Sequence, residues 1–209
     1  MPVILSIIIF VSGSAALFGK SLSNKTLFFI FKPLTTILIL CSAILFGSEL
    51  TCTYKYYIYS ALIFCLAGDI FLMLKSRFVY GLLSFFIAHI IFSAGFILIR
   101  FTFSLWLFII FFIIGILLFI YLSPDLSKYK LPVLFYIPAI LFMSWRAYEL
   151  YPDTILIPAA SLLFLISDFA LAIRNFKKTF PYVEPLILTT YYLAIFLLAH
   201  SMPSVCRDI

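Results

Sequence analysis

Long apolar runs, each closed by a charge or a Pro/Ser cluster, follow one another along the whole chain. They do not alternate polar and apolar at every second residue, as strands of an outer-membrane barrel do; Leu105–Leu122 is one example. Eight helical spans are read, at about 2–18, 28–46, 57–74, 82–99, 105–122, 131–146, 154–173 and 185–201. Each has close to the ~17–25 residues that cross ~30 Å of hydrocarbon, the sixth being marginal. The connections are short, so neighbouring helices are expected to run antiparallel. The predicted fold class is all-α: a polytopic membrane protein of eight transmembrane helices, forming one domain over 1–209.

Composition removes the soluble alternative. Hydrophobic residues make up 66% and charged residues 11% of the 209, against roughly 45–50% and about 25% in soluble domains. A globule of this size has no interior large enough to hide that excess. The net charge of +6 does not point to nucleic acid, because the basic residues sit at span ends and not in one patch. Cys41, Cys52, Cys65 and Cys206 show no CxxC or metal spacing. No metal, no cofactor and no nucleic-acid partner is expected. The first apolar run lacks a basic stretch before it, as a retained span does and a cleaved signal does not.

The basic residues set the orientation. Nine lie in one set of loops: Lys20, Lys25, Lys75, Arg77, Lys128, Lys130, Arg174, Lys177 and Lys178. Four lie on the other side, Lys55, Arg100, Arg146 and Arg207, and Lys32 falls inside a span. Both termini are therefore expected outside the cytoplasm. His200, Arg146, Glu149 and Asp153 fall at the outer end and read as solvated or interfacial.

Candidate chemistry starts from two similar stretches, Leu66–Lys75 and Leu165–Arg174. Each places a small residue and then an aspartate, Asp69 or Asp168, inside an apolar helix, with a basic residue six positions later. A carboxylate within a span is unfavourable by a few kcal/mol, so its default reading is functional. Both acids lie ~9 Å above their basic anchors at 1.5 Å per residue, in the cytoplasmic half. Ala61 and Cys65 share the face of Asp69; Ala160, Ser161 and Ala172 share that of Asp168. Small faces pack against helices, so both acids are expected to point inward. The 99-residue offset between the acids recurs from Lys75 to Arg174 and from Pro33 to Pro132. It suggests two parallel four-helix halves, an arrangement that transporters also carry.

Other polar groups reach the same layer: Lys32 in span two, His89 and Ser93 in span four, Tyr136 in span six and Tyr191 in span eight. Each has a structural alternative. The aspartates would serve as an ion-pair or capping device, Lys32 would snorkel to the interface, His89 would be a hydrogen-bonded packing residue, and the tyrosines would be belt aromatics. Their coincidence in one layer favours a site.

Taken in order, Lys32-Pro33, Gly68-Asp69 with Leu72, Ala88-His89, Tyr136 shortly before a proline, and Ser167-Asp168 resemble the YhhN-like lysoplasmalogenase family. The resemblance runs over essentially the whole chain and includes its length and span count. It implies an eight-helix hydrolase that cleaves the vinyl ether bond of lysoplasmalogens, yielding a fatty aldehyde and a glycerophospho-headgroup. It also implies catalysis by two aspartates without a metal. On the matching positions the catalytic pair is Asp69 and Asp168, with Lys32, His89 and Tyr136 as supporting pocket residues; Tyr191, at the same depth in span eight, is expected to join them around the substrate.

The residue types suit that reaction. Vinyl ether hydrolysis needs an acid to protonate carbon and an anion to meet the resulting cation, as the paired carboxyls of glycosidases do. The expected partners are a lysophospholipid, water and surrounding lipid. Lys32 would pair with the phosphate, and Lys75 or Arg174 would draw the lipid to the mouth. The expected location is a bacterial inner membrane. The chief rival is a proton-coupled transporter of a lipid or small molecule, in which buried Asp and His relay protons. Esterase and zinc-protease readings fail for want of G-x-S-x-G and H-E-x-x-H.

Overall fold

The computed structural model describes residues 2–22, 24–74 and 76–206, Pro2 by its backbone alone. Lys75 and Arg207, both used above for orientation, lie outside the described residues. The helices are α1 (Pro2–Ser21), α2 (Lys25–Gly47), α3 (Tyr54–Met73), α4 (Phe78–Ile99), α5 (Leu105–Leu122), α6 (Lys130–Tyr148), α7 (Leu156–Phe176), α8 (Val183–His200) and the short α9 (Met202–Val205). Eight are long and apolar enough to cross a membrane, and the described residues contain no strand. The protein is an integral membrane protein. Helix is the form in which an isolated span satisfies its own backbone groups in hydrocarbon.

The helices overrun several expected ends because charged residues continue them. α1 extends to Ser21 beyond Lys20, and α7 to Phe176 beyond Arg174. Long basic side chains keep their stems on the helix while their heads reach polar surroundings. The sixth span, marginal by composition, has 19 residues and is largely buried. At the start of α2, Asn24 Oδ1 accepts the Leu27 N–H at 3.1 Å, a side-chain cap for an otherwise unpaired donor.

α2 packs against α1, α3 and α8, and α6 packs against α5, α7 and α4. Small residues set the close approaches. A Cβ on Gly68 would stand 2.5 Å from the Phe85 ring, so glycine lets α4 press an aromatic face against the residue before Asp69. α5 is held loosely: Phe111 and Leu122 are its buried residues, and most of the helix faces outward. A disulfide joins Cys52, in the α2–α3 connection, to Cys206 after α9.

The outer end differs from expectation. Arg146 and Glu149, read as solvated or interfacial, are 1% and 4% exposed. The Arg146 guanidinium donates to the carbonyl oxygens of Thr102 at 2.5 Å and Arg100 at 2.8 Å. Glu149 accepts the Thr102 hydroxyl at 2.5 Å and the Ser104 N–H at 2.7 Å. The α4–α5 connection carries backbone groups that no helix can satisfy, and these two side chains satisfy them. Burial pushes the Glu149 carboxyl upward, but the Thr102 and Ser104 hydrogen bonds and the Arg146 charge outweigh it and hold its pKa below the ordinary value. Asp153 is exposed as expected and pairs with Arg100. His200 is half-buried and stacks on Phe196 with ring centroids 4.0 Å apart.

Candidate functional site

Asp69 is 1% exposed and its carboxylate is surrounded by donors. Lys32 Nζ lies 3.1 Å from Oδ1. Thr36 donates to Oδ2 at 2.6 Å and Tyr191 donates to the same oxygen at 2.8 Å. Lys32 and Thr36 are one turn apart on α2, so a single helix face supplies an ammonium and a hydroxyl. Three of about four lone-pair sites are filled, one by the Lys32 ammonium.

Asp168 is held differently. Tyr136 donates its phenolic hydrogen to Oδ2. His89 Nε2 lies 3.2 Å from the same oxygen and 3.0 Å from the Tyr136 hydroxyl. His89 is fully buried, with Nδ1 3.3 Å from Met143 Sδ. The residue before Asp168 is tied down too: Ser167 donates to the Ile187 carbonyl at 3.0 Å.

The two carboxylates share one cavity of about 520 Å³, lined also by Lys32, Phe85, Ser167 and Tyr191. Phe85, Phe164 and Tyr191 pack edge-to-face at centroid separations of 5.6–6.2 Å, and Phe164 in turn packs on His89 at 4.7 Å. This aromatic wall ties the Tyr191 that serves Asp69 to the His89 that serves Asp168. Toward the helix ends the cavity is bordered by Lys20, Lys25, Arg174 and Glu184. Glu184 pairs with Lys20 at 3.4 Å and Arg174 at 3.0 Å, joining α1, α7 and α8. The rim therefore carries an excess of cations, which suits an anionic ligand.

Of the six candidates, Lys32, Asp69, Asp168 and Tyr191 line this cavity. His89 stands behind Asp168, and Tyr136 faces a small apolar pocket on the other side of that acid. Lys32 pairs with Asp69 instead of standing free for a phosphate. Thr36 and Glu184 were not foreseen. Thr36 had a signal, its place four residues beyond Lys32; Glu184 had none that separates it from an ordinary acid at a helix N-terminus. Among the described residues, no group of three or more His, Cys, Asp or Glu gathers in a way that would hold a metal ion.

Residues 27–202 match the model of the YhhN family. The chain belongs to the YhhN family. It is similar to lysoplasmalogenase TMEM86A of Bos taurus, 31% identical over 160 residues, covering 69% of this chain and 64% of that protein. The Homo sapiens protein of the same name is 30% identical over 155 residues, again covering 69% and 64%. The uncharacterized membrane protein YhhN of Escherichia coli O157:H7 is 27% identical over 181 residues, 83% of this chain and 86% of its own length. The chain thus spans less than two thirds of the mammalian relatives. No solved structure matches it. All six candidate residues fall inside the YhhN match, whereas the rim residues Lys20 and Lys25 precede it.

Proposed function

We propose that this YhhN-family protein is a membrane-embedded hydrolase that cleaves the vinyl ether bond of a lysoplasmalogen, releasing a fatty aldehyde and a glycerophospho-headgroup. One geometric fact carries it: Asp69 and Asp168, far apart in sequence, open onto one cavity with a cationic rim. The relatives named lysoplasmalogenase support the substrate class.

The steps use the chain's own groups and water. Tyr136 donates to Asp168 Oδ2 and His89 Nε2 lies against the same oxygen; in this cycle Asp168 carries the acidic proton on Oδ1. It protonates the β-carbon of the vinyl ether; the double-bond electrons form the new C–H bond, leaving an oxocarbenium ion at the α-carbon. The Asp69 carboxylate stabilises this cation and takes a proton as water adds to the α-carbon. The hemiacetal then collapses. Its hydroxyl proton returns to Asp168, the bond to the glycerol oxygen breaks, and Asp69 protonates the departing oxygen. One water is consumed, both acids are restored, and nothing is oxidised. His89 and Tyr136 position Asp168; Lys32, Thr36 and Tyr191 hold the Asp69 carboxyl group in place.

The site lies in the cytoplasmic half of a bacterial inner membrane, at the helix ends where Lys and Arg are in excess. That places the Cys52–Cys206 disulfide on the opposite face, where oxidation is available. Purified protein given a vinyl-ether lysophospholipid is expected to release aldehyde, and Asp69→Asn or Asp168→Asn to lower that rate by about 10²–10⁴. Absence of aldehyde with the unaltered protein, alongside proton-driven flux in proteoliposomes, would install the transporter reading instead.

A further inference from the structure

Asp168 and Leu171 each border two spaces. On one side is the polar cavity. On the other is a pocket of about 50 Å³ between α4, α5, α6 and α7, walled by Leu82, Leu118, Val133 and Ile140. Ile137 of that pocket also borders a third space, about 680 Å³, between α4, α5 and α6. This gallery follows one face of α5 from Ile120 and Phe119 back through Ile116 and Phe112 to Phe108, a rise of ~18 Å at 1.5 Å per residue. Its walls are aliphatic and aromatic almost throughout. The three spaces form a series that runs from the cationic rim, past the Asp168 carboxyl, toward the opposite membrane face.

We propose that the α5–α6 gallery binds the hydrocarbon chain of the substrate, which passes Asp168 to reach it. This rests on the lysolipid reading of the site. An amphiphile with its phosphate at the rim must send its chain away from the rim. The two carbons that react are the first of that chain, so they belong where the polar cavity gives way to apolar walls. Asp168 stands at that junction. The small pocket is a constriction beside Asp168, and the gallery beyond it is more than ten times larger. Phe108, Phe112, Ile116 and Ile120 of the gallery are exposed, so the groove opens sideways to the surrounding lipid along α5. At Gly115 a Cβ would meet Leu141 Cδ1 at 2.7 Å; glycine keeps α5 and α6 close there, and the gallery free of a side chain from that position.

The test uses the full chain in nanodiscs and a lysophospholipid with a saturated alkyl ether chain ending in a diazirine. This probe cannot be hydrolysed by protonation of a double bond, so it maps the chain whether or not the protein releases aldehyde. Photolabelling is expected within residues 108–120 and 134–145, and to fall when the same lipid without diazirine is added in excess. Labelling centred on α1–α3, or labelling of the gallery that excess lipid does not reduce, overturns the proposal. A second arm uses Ile116→Trp, at a half-exposed gallery position where folding tolerates bulk. It is expected to lower kcat/KM about tenfold for a palmityl-length vinyl ether and to spare an octyl one; equal losses for both overturn the proposal.

Discussion

Asp69 and Asp168 are each held from two directions, and the helices that hold them correspond. α2 and α8 supply Lys32, Thr36 and Tyr191 to Asp69 on α3. α6 and α4 supply Tyr136 and His89 to Asp168 on α7. A shift of four helices carries α2 to α6, α3 to α7 and, cyclically, α8 to α4. We propose that the bundle is an internal duplication whose two acid sites have diverged. One kept an ammonium and hydroxyls, the other a phenol and an imidazole. Unlike surroundings would give each carboxyl a fixed role, whereas in a symmetric pair the two would share one proton.

Removing either acid tests that division. Asp168→Asn and Asp69→Asn should each lower the rate of aldehyde release by about 10²–10⁴. Their stabilities should differ. Asp168→Asn keeps an amide oxygen that can accept from Tyr136, so its melting temperature in detergent should hold. Asp69→Asn strands the Lys32 ammonium and should melt earlier.

Lys32→Met tests the same pair from the other side. Breaking a buried ion pair leaves an uncompensated charge and costs about 3–5 kcal/mol. Lys32→Met should therefore destabilise the protein strongly, and Lys32→Met with Asp69→Asn should recover much of the loss. Additive losses in denaturant unfolding would mean that the two residues do not depend on one another.

Tyr136→Phe and His89→Gln address positioning. His89 lines neither the main cavity nor the small pocket, so His89→Gln should change substrate affinity little while kcat drops about tenfold or more. Tyr136 borders the small pocket that the chain crosses, so Tyr136→Phe should lower kcat and move KM as well. Because both act through the same carboxyl oxygen, the double variant should lose little beyond the worse single one. A rise in KM with unchanged kcat in His89→Gln would instead put His89 against the substrate.

The fold was legible in the sequence because the bilayer fixes the helix length and excludes other structure, so run lengths alone gave eight helices. The two aspartates were legible because a charge in hydrocarbon needs a reason. Thr36 was less so: a threonine in a helix is unremarkable until its neighbour across the bundle is known. The tie between Lys32 and Asp69, in place of a free lysine, came from the α2–α3 packing, which composition does not encode. The burial of Arg146 and Glu149 was hidden for a related reason. A charge next to a loop reads as solvated unless that loop folds back over it, as residues 100–104 do.

That buried outer cluster gives a pH dependence of known sign. In the folded protein Glu149 has a pKa below its ordinary 4.5, because the donors from Thr102 and Ser104 and the Arg146 charge outweigh its burial. The unfolded chain therefore binds the proton more readily than the folded one. Stability from this group is fully present above about 4.5 and is lost as the pH falls through the lower, folded value. Glu149→Gln should be less stable than the unaltered protein at neutral pH, and the gap should narrow as the medium is acidified below the unfolded value. Thermal unfolding of both proteins across that range checks it; a gap that stays constant with pH would show that the carboxylate charge at Glu149 contributes nothing to holding the α4–α5 connection.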